Sequence, residues 1–150
     1  MQAKDIAKFP KSLWEKIGGK TATRIVKDAK SGIGADGEKF KQQYSTEYAI
    51  RKKAGIAAPK GVSQASRRIS YPDLTLTGMM LNSIKARKAT KTGVEIEFRD
   101  GLKVQGNAKN KRDIHGVSPK NEDLIIKELG DYLGKQIDKY AKIPINIKVG

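Results

Sequence analysis

The chain reads as an α+β fold, and three features of its sequence predict it. Apolar residues recur at helical spacing near both ends, the middle holds a strict apolar/polar alternation, and turn-rich basic stretches separate the two. Together they predict N-terminal helices, a short antiparallel β-meander, a long C-terminal amphipathic helix and a terminal strand. At 150 residues the chain fits one domain, residues 1–150, large enough to bury a core.

From Phe9 to Ala29, Leu13, Trp14, Ile17, Ile25, Val26 and Ala29 share a helical face, with Pro10 suited to a first turn. Gly18-Gly19 is expected to kink or split that helix, because paired glycines are entropically costly inside one. Ser31 to Gly37 is a turn-rich connector, after which Phe40, Tyr44, Tyr48 and Ala49 suggest a second helix. The Arg51-Lys52-Lys53 run leads into a stretch, about residues 55–72, with no clear periodicity and several Gly, Pro and Ser. It reads as a basic loop or arm.

Asp73 to Leu81 predicts a short helix entering a strand. Ile84 and Ala86 then face one way and Lys85 and Arg87 the other. Val94, Ile96 and Phe98 alternate with Glu95 and Glu97, so pairing the two strands brings basic and acidic side chains together on the wet face. Asp100-Gly101 suggests a hairpin turn into a third strand at Leu102 and Val104, followed by a second basic loop at about residues 105–112. Ser118-Pro119 marks the start of the last helix, with Ser118 as N-cap, Pro119 in the first turn, and Glu122 and Asp123 matched to the helix dipole. Ile125, Leu129, Tyr132, Leu133, Ile137 and Tyr140 form its apolar stripe. Asp123–Lys127, Asp131–Lys135 and Asp138–Lys142 are expected to neutralise its polar face. Pro144 ends the helix, and Ile145, Ile147 and Val149 alternate as the terminal strand.

Charge is concentrated. Residues 48–94 hold ten Lys or Arg and one acid, Asp73, in a chain of net charge +15. Such a field attracts phosphates or an acidic protein surface. The candidate contact residues are Arg51, Lys52, Lys53, Lys60, Arg67 and Arg68 on the first basic segment and Lys109, Lys111 and Arg112 on the second. Zero cysteines exclude disulfides and thiolate chemistry, and His115 is the only histidine, so no catalytic, cofactor or metal site is expected. A general base at His115 beside Asp113 lacks a nucleophile or metal partner. No signal peptide is expected, since Asp5, Lys8 and Lys11 interrupt the start. No apolar run reaches the ~18 residues needed to span a bilayer, so a soluble protein made in a cytoplasm is expected, with no membrane partner.

Several short motifs follow one another in a telling order. Asp36-Gly37-Glu38-Lys39-Phe40, Tyr44-Ser45-Thr46-Glu47-Tyr48 and Lys52-Lys53 precede Asp73-Leu74-Thr75-Leu76-Thr77-Gly78-Met79-Met80 and Ser83-Ile84. Gly93-Val94-Glu95-Ile96 comes next, and Lys111-Arg112-Asp113-Ile114-His115-Gly116-Val117-Ser118-Pro119 leads into the last helix. Over about residues 20–140 this layout resembles the virion morphogenesis and tail-completion proteins of tailed bacteriophages. The chain has Asp113-Ile114-His115 where that family often has an aromatic pair.

The resemblance implies a non-enzymatic neck or tail-end subunit of the virion, assembling as a homo-oligomeric ring between portal and tail. Its implied partners are portal, adaptor or tail-tube proteins and non-specific DNA passing through a channel, with assembly in the host cytoplasm. The alternative is a basic nucleic-acid-binding module that grips phosphates through residues 51–68. It lacks a recognisable helix-turn-helix, RNP-type or zinc motif.

Overall fold

The computed structural model describes residues 9–76 and 78–141. Among them, helices α1 (Lys11–Lys30), α2 (Thr46–Ala54) and α3 (Met79–Asn82) precede strands β1 (Ile84–Arg87) and β2 (Glu95–Phe98). Helices α4 (Gly101–Lys109) and α5 (Pro119–Ala141) follow. The α+β class holds, and the C-terminal helix begins at Pro119 as its capping sequence predicts. The proposed terminal strand at residues 145–149, the Asp138–Lys142 pair and the chain's start lie outside the described residues.

α1 is continuous through Gly18-Gly19. The helix is not split there, and Gly18 is where it meets the sheet. A Cβ at Gly18 would stand 2.6 Å from Val94 Cγ2 and 2.9 Å from the Ala86 Cβ, whereas one at Gly19 would meet nothing within 4 Å. Glycine here shortens the helix–sheet distance, and that packing offsets its weak helix propensity.

β1 and β2 pair antiparallel in the register Ile84↔Phe98, Lys85↔Glu97, Ala86↔Ile96 and Arg87↔Glu95. The outer face brings basic and acidic side chains together as expected, but with other partners in part. Glu97 meets Arg87 and also Arg99, each at 3.2 Å, and Glu95 meets Lys88 at 3.4 Å, while Lys85 forms no ion pair among the described residues. The hydrogen bond from Arg99 leads the effects that hold the Glu97 carboxyl below its ordinary range. The inner face joins Ala22, Ile25, Ala29, Phe40, Met80, Leu81, Ile84, Val104 and Ile114 in one buried cluster.

The third strand of the meander is not formed. Asp100 instead precedes α4, whose first turn is closed by the Val104 amide on the Asp100 carbonyl at 3.1 Å and by Lys103 Nζ on Asp100 Oδ2 at 2.6 Å. A strand would turn Leu102 and Val104 to the same side. The helix buries Val104 in the core and leaves Leu102 on the surface. The second basic segment is therefore helical as far as Lys109, and only residues 110–112 lie beyond the helix.

α5 packs on α1 through Glu128, which receives Lys16 Nζ at 2.8 Å and also Lys20, and through an edge-on contact of Phe9 with Tyr132 at 5.9 Å. The expected Asp123–Lys127 and Asp131–Lys135 pairs do not form. Ser118 occupies the N-cap position, but its buried hydroxyl has no hydrogen-bond partner. Among the described residues no helix is long and apolar enough to cross a membrane.

Candidate docking cleft and basic arm

Residues 56–76 contain no helix or strand, yet their path is fixed by two polar knots. The first centres on Asp73. Its Oδ1 accepts from Lys52 Nζ at 2.5 Å, the Tyr44 hydroxyl at 3.2 Å and the Thr75 amide at 3.2 Å, and its Oδ2 accepts from Ser66 Oγ at 2.5 Å. The Tyr44 hydroxyl in turn accepts from Lys52 Nζ at 3.0 Å and from the Asp73 amide at 3.1 Å. One hydroxyl proton and two lone pairs are thereby all used.

Burial pushes the Asp73 carboxyl up, but hydrogen bonds from Lys52, Ser66 and Thr75 outweigh it and hold the group down to about 2. Tyr44 is pushed up to about 12, by burial first and then by the negative charge of Asp73. It stays a neutral phenol at physiological pH, able to donate to the carboxylate. Tyr48, tilted against Tyr44 at 4.9 Å, is also raised, chiefly by burial.

The second knot is Gln64. Its Nε2 donates to the carbonyls of Lys52 at 2.6 Å and Ser66 at 2.8 Å, while its Oε1 accepts from the Ala57 amide at 3.2 Å. The Ala65 amide closes the arm onto the Leu76 carbonyl at 2.7 Å. Backbone groups that secondary structure would pair are met here by side chains.

The nine expected contact residues part company on this frame. Lys52 is a correction: its side chain is 0% exposed and committed to Asp73, so it cannot meet a partner. Helical spacing places it four residues beyond Tyr48 on the inward face of α2, and burying its charge there requires the single acid of the basic segment. Arg67 lies over Gly55 at the C-terminal end of α2, with its Nη2 2.8 Å from where a Cβ would stand. Arg68 bonds the Tyr71 hydroxyl and sits 5.1 Å over that ring. Arg112 donates to the carbonyls of Gln42 at 3.2 Å and Gln43 at 3.0 Å and stacks 5.1 Å over Tyr44, so it clips its loop to the Tyr44-Ser45 segment. Arg51, Lys53, Lys60, Lys109 and Lys111 remain on the surface.

Arm, α2 and α4 enclose a cleft of about 830 Å³. Pro59, Val62, Leu74, Leu76 and Met80 supply apolar walls, Tyr44 and Tyr48 one side, and Asn107, Asn110, Lys103 and Arg112 a polar, basic rim. The sequence alone does not reveal this cleft, because it needs α4 as a wall where the sequence pattern predicts a strand and a loop.

His115 stands apart. Its ring rests 5.3 Å from Phe98, and its backbone amide donates to Asp113 Oδ1 at 2.8 Å. No cluster of three or more metal-ligating side chains occurs among the described residues. No protein-family model, curated protein or solved structure matches the chain.

Proposed function

We propose that the protein is a non-enzymatic structural subunit of a tailed-phage virion, placed at the neck or tail end, which assembles as a ring between portal and tail. The observation that carries this reading is the convergence of the ordered motifs. Phe40, Met80, Ile84 and Ile114, from three motifs far apart in the chain, pack in one cluster, with Asp73, Tyr44 and Arg112 from the same motifs building the arm's anchorage. Motifs used this way specify a framework, which suits a protein whose work is done by surfaces.

Two surface properties add support. The arm and α4 present an apolar cleft with a basic rim, and α5 leaves apolar side chains on the outside. The bases that stay exposed are spread over α2, the arm and α4, as diffuse charge facing passing DNA or acidic partner proteins would be. A phosphate-gripping module through residues 51–68 is less well supported, because Lys52, at the centre of its basic run, is buried against Asp73.

Electron microscopy of lysates from a phage lacking this gene tests the proposal. Unjoined heads beside free tails, or tails of abnormal length, are expected. Normal joined particles would overturn it. The alternative module would then be tested by DNA affinity falling steeply with salt.

A further inference from the structure

α5 presents two adjacent faces. Ile125, Leu129 and Tyr132 turn toward α1 and are half-buried. Ile126, Leu133 and Ile137 lie within roughly 40° of one another on the neighbouring face and are 67%, 45% and 66% exposed. Exposed apolar residues scattered singly need no explanation, but three in line along one helix form a ridge. Gly130, between them, keeps that ridge low enough for a close approach.

The cleft is the counterpart. It is concave and apolar, and no residue of α1 or α5 lines it. A molecule does not fill its own cleft with its own ridge, because Glu128 and Tyr132 tie α5 to α1. Charge separates the two surfaces in the same sense. In a chain of net charge +15, α5 carries five acids against four bases, and Glu122 and Asp123 flank the ridge near its N-terminal end. The cleft has Arg112 on its rim, with Lys109 and Lys111 close by in the chain, while Lys103 on the same rim is already paired with Asp100.

We infer that the α5 ridge of one molecule seats in the arm–α4 cleft of a second copy of this chain. The contact is heterologous: each molecule offers a ridge on one side and a cleft on the other, so it repeats from copy to copy and closes into a ring where the rotation allows. Acidic flanks meeting a basic rim fix orientation and speed encounter, and they keep two basic surfaces from facing each other. Closure into a ring rests on the virion reading above. The contact itself is tested on purified protein, so its failure is distinguishable from a failure of that reading.

The chain has no cysteine, so introduced thiols report alone. Leu133→Cys places one on the ridge and Val62→Cys one in the cleft. Mixing the two single-cysteine proteins under mild oxidation is expected to give a crosslinked pair of twice the 16.5 kDa chain mass. A chain bearing both is expected to give a ladder of oligomers. Adding Ile137→Asp, exposed in the single molecule, should lower crosslinking roughly tenfold or more by placing a charge against the apolar wall, with the far-ultraviolet circular dichroism unchanged. Efficient crosslinking of Leu133→Cys with itself would mean that two ridges pair symmetrically and would overturn the inference. So would a bond closed within one doubly substituted chain, or no crosslink in concentrated protein.

Discussion

The arm and α5 separate regular structure from anchorage. The arm has no regular hydrogen bonding along residues 56–76, yet it is tied down by Asp73, Gln64 and the buried Lys52. α5 is a 23-residue helix with a clear start, yet much of its apolar surface is uncovered. Buried polar groups must be satisfied locally, and a segment that does so holds its course without a helix or strand. A helix satisfies its own backbone, so its side chains are left for whatever lies beside it. The contrast sets an arm held by side-chain hydrogen bonds against a helix with an uncovered apolar ridge.

The largest expected effect comes from cutting the arm's anchor. Asp73→Ala leaves the Lys52 ammonium buried without its partner and should cost about 3–5 kcal/mol in urea unfolding. Replacing both residues with apolar ones, Lys52→Met with Asp73→Leu, should recover much of that loss. If Asp73→Ala proved neutral, the arm would not be fixed by this pair.

Acid should weaken the same anchor. The Asp73 carboxyl sits at about 2 in the fold against an ordinary 3.8, so its contribution is fully present above the unfolded value and is lost as pH falls toward 2. The shift corresponds to on the order of 2 kcal/mol. Unfolding measured between pH 5 and pH 2, a window set by these two values, should show a decline that is shallower in Asp73→Asn.

Next in size is the close contact of α1 with the sheet. Gly18→Ala forces a methyl group against Val94 and Ala86 and should cost about 1–3 kcal/mol. Gly19→Ala meets open space and should gain about 0.5–1 kcal/mol. Opposite signs at adjacent glycines in thermal unfolding would check the packing directly. The smallest effects belong to α5. Leu133→Ala in dilute protein should change stability by less than about 0.5 kcal/mol, because an exposed side chain loses little. Ser118→Ala should cost less than the ~1 kcal/mol usual for a cap, since its hydroxyl has no partner.

These contrasts follow how far each element could be read from sequence. The β1–β2 alternation and the Pro119 start were legible because period and capping are local properties. α4 was not, since Asp100-Gly101 suits a hairpin turn and only the core's demand for Val104 on one side decides for a helix. Tyr44, Tyr48 and Lys52 recur every four residues, and Asp73 is the lone acid of its region. Those two facts together are the signal of a buried pair, and the run Arg51-Lys52-Lys53 masks it by suggesting a partner-facing charge. The cleft had no sequence signature of its own, because its walls come from four separate segments.

Amide hydrogen exchange on the intact chain at low and high protein concentration tests the division of roles most directly. The arm amides of Ala57 and Ala65 should be protected at both concentrations, and the last turns of α5 should gain protection only at the higher one. Rapid exchange of the arm amides, or α5 protection independent of concentration, would contradict it.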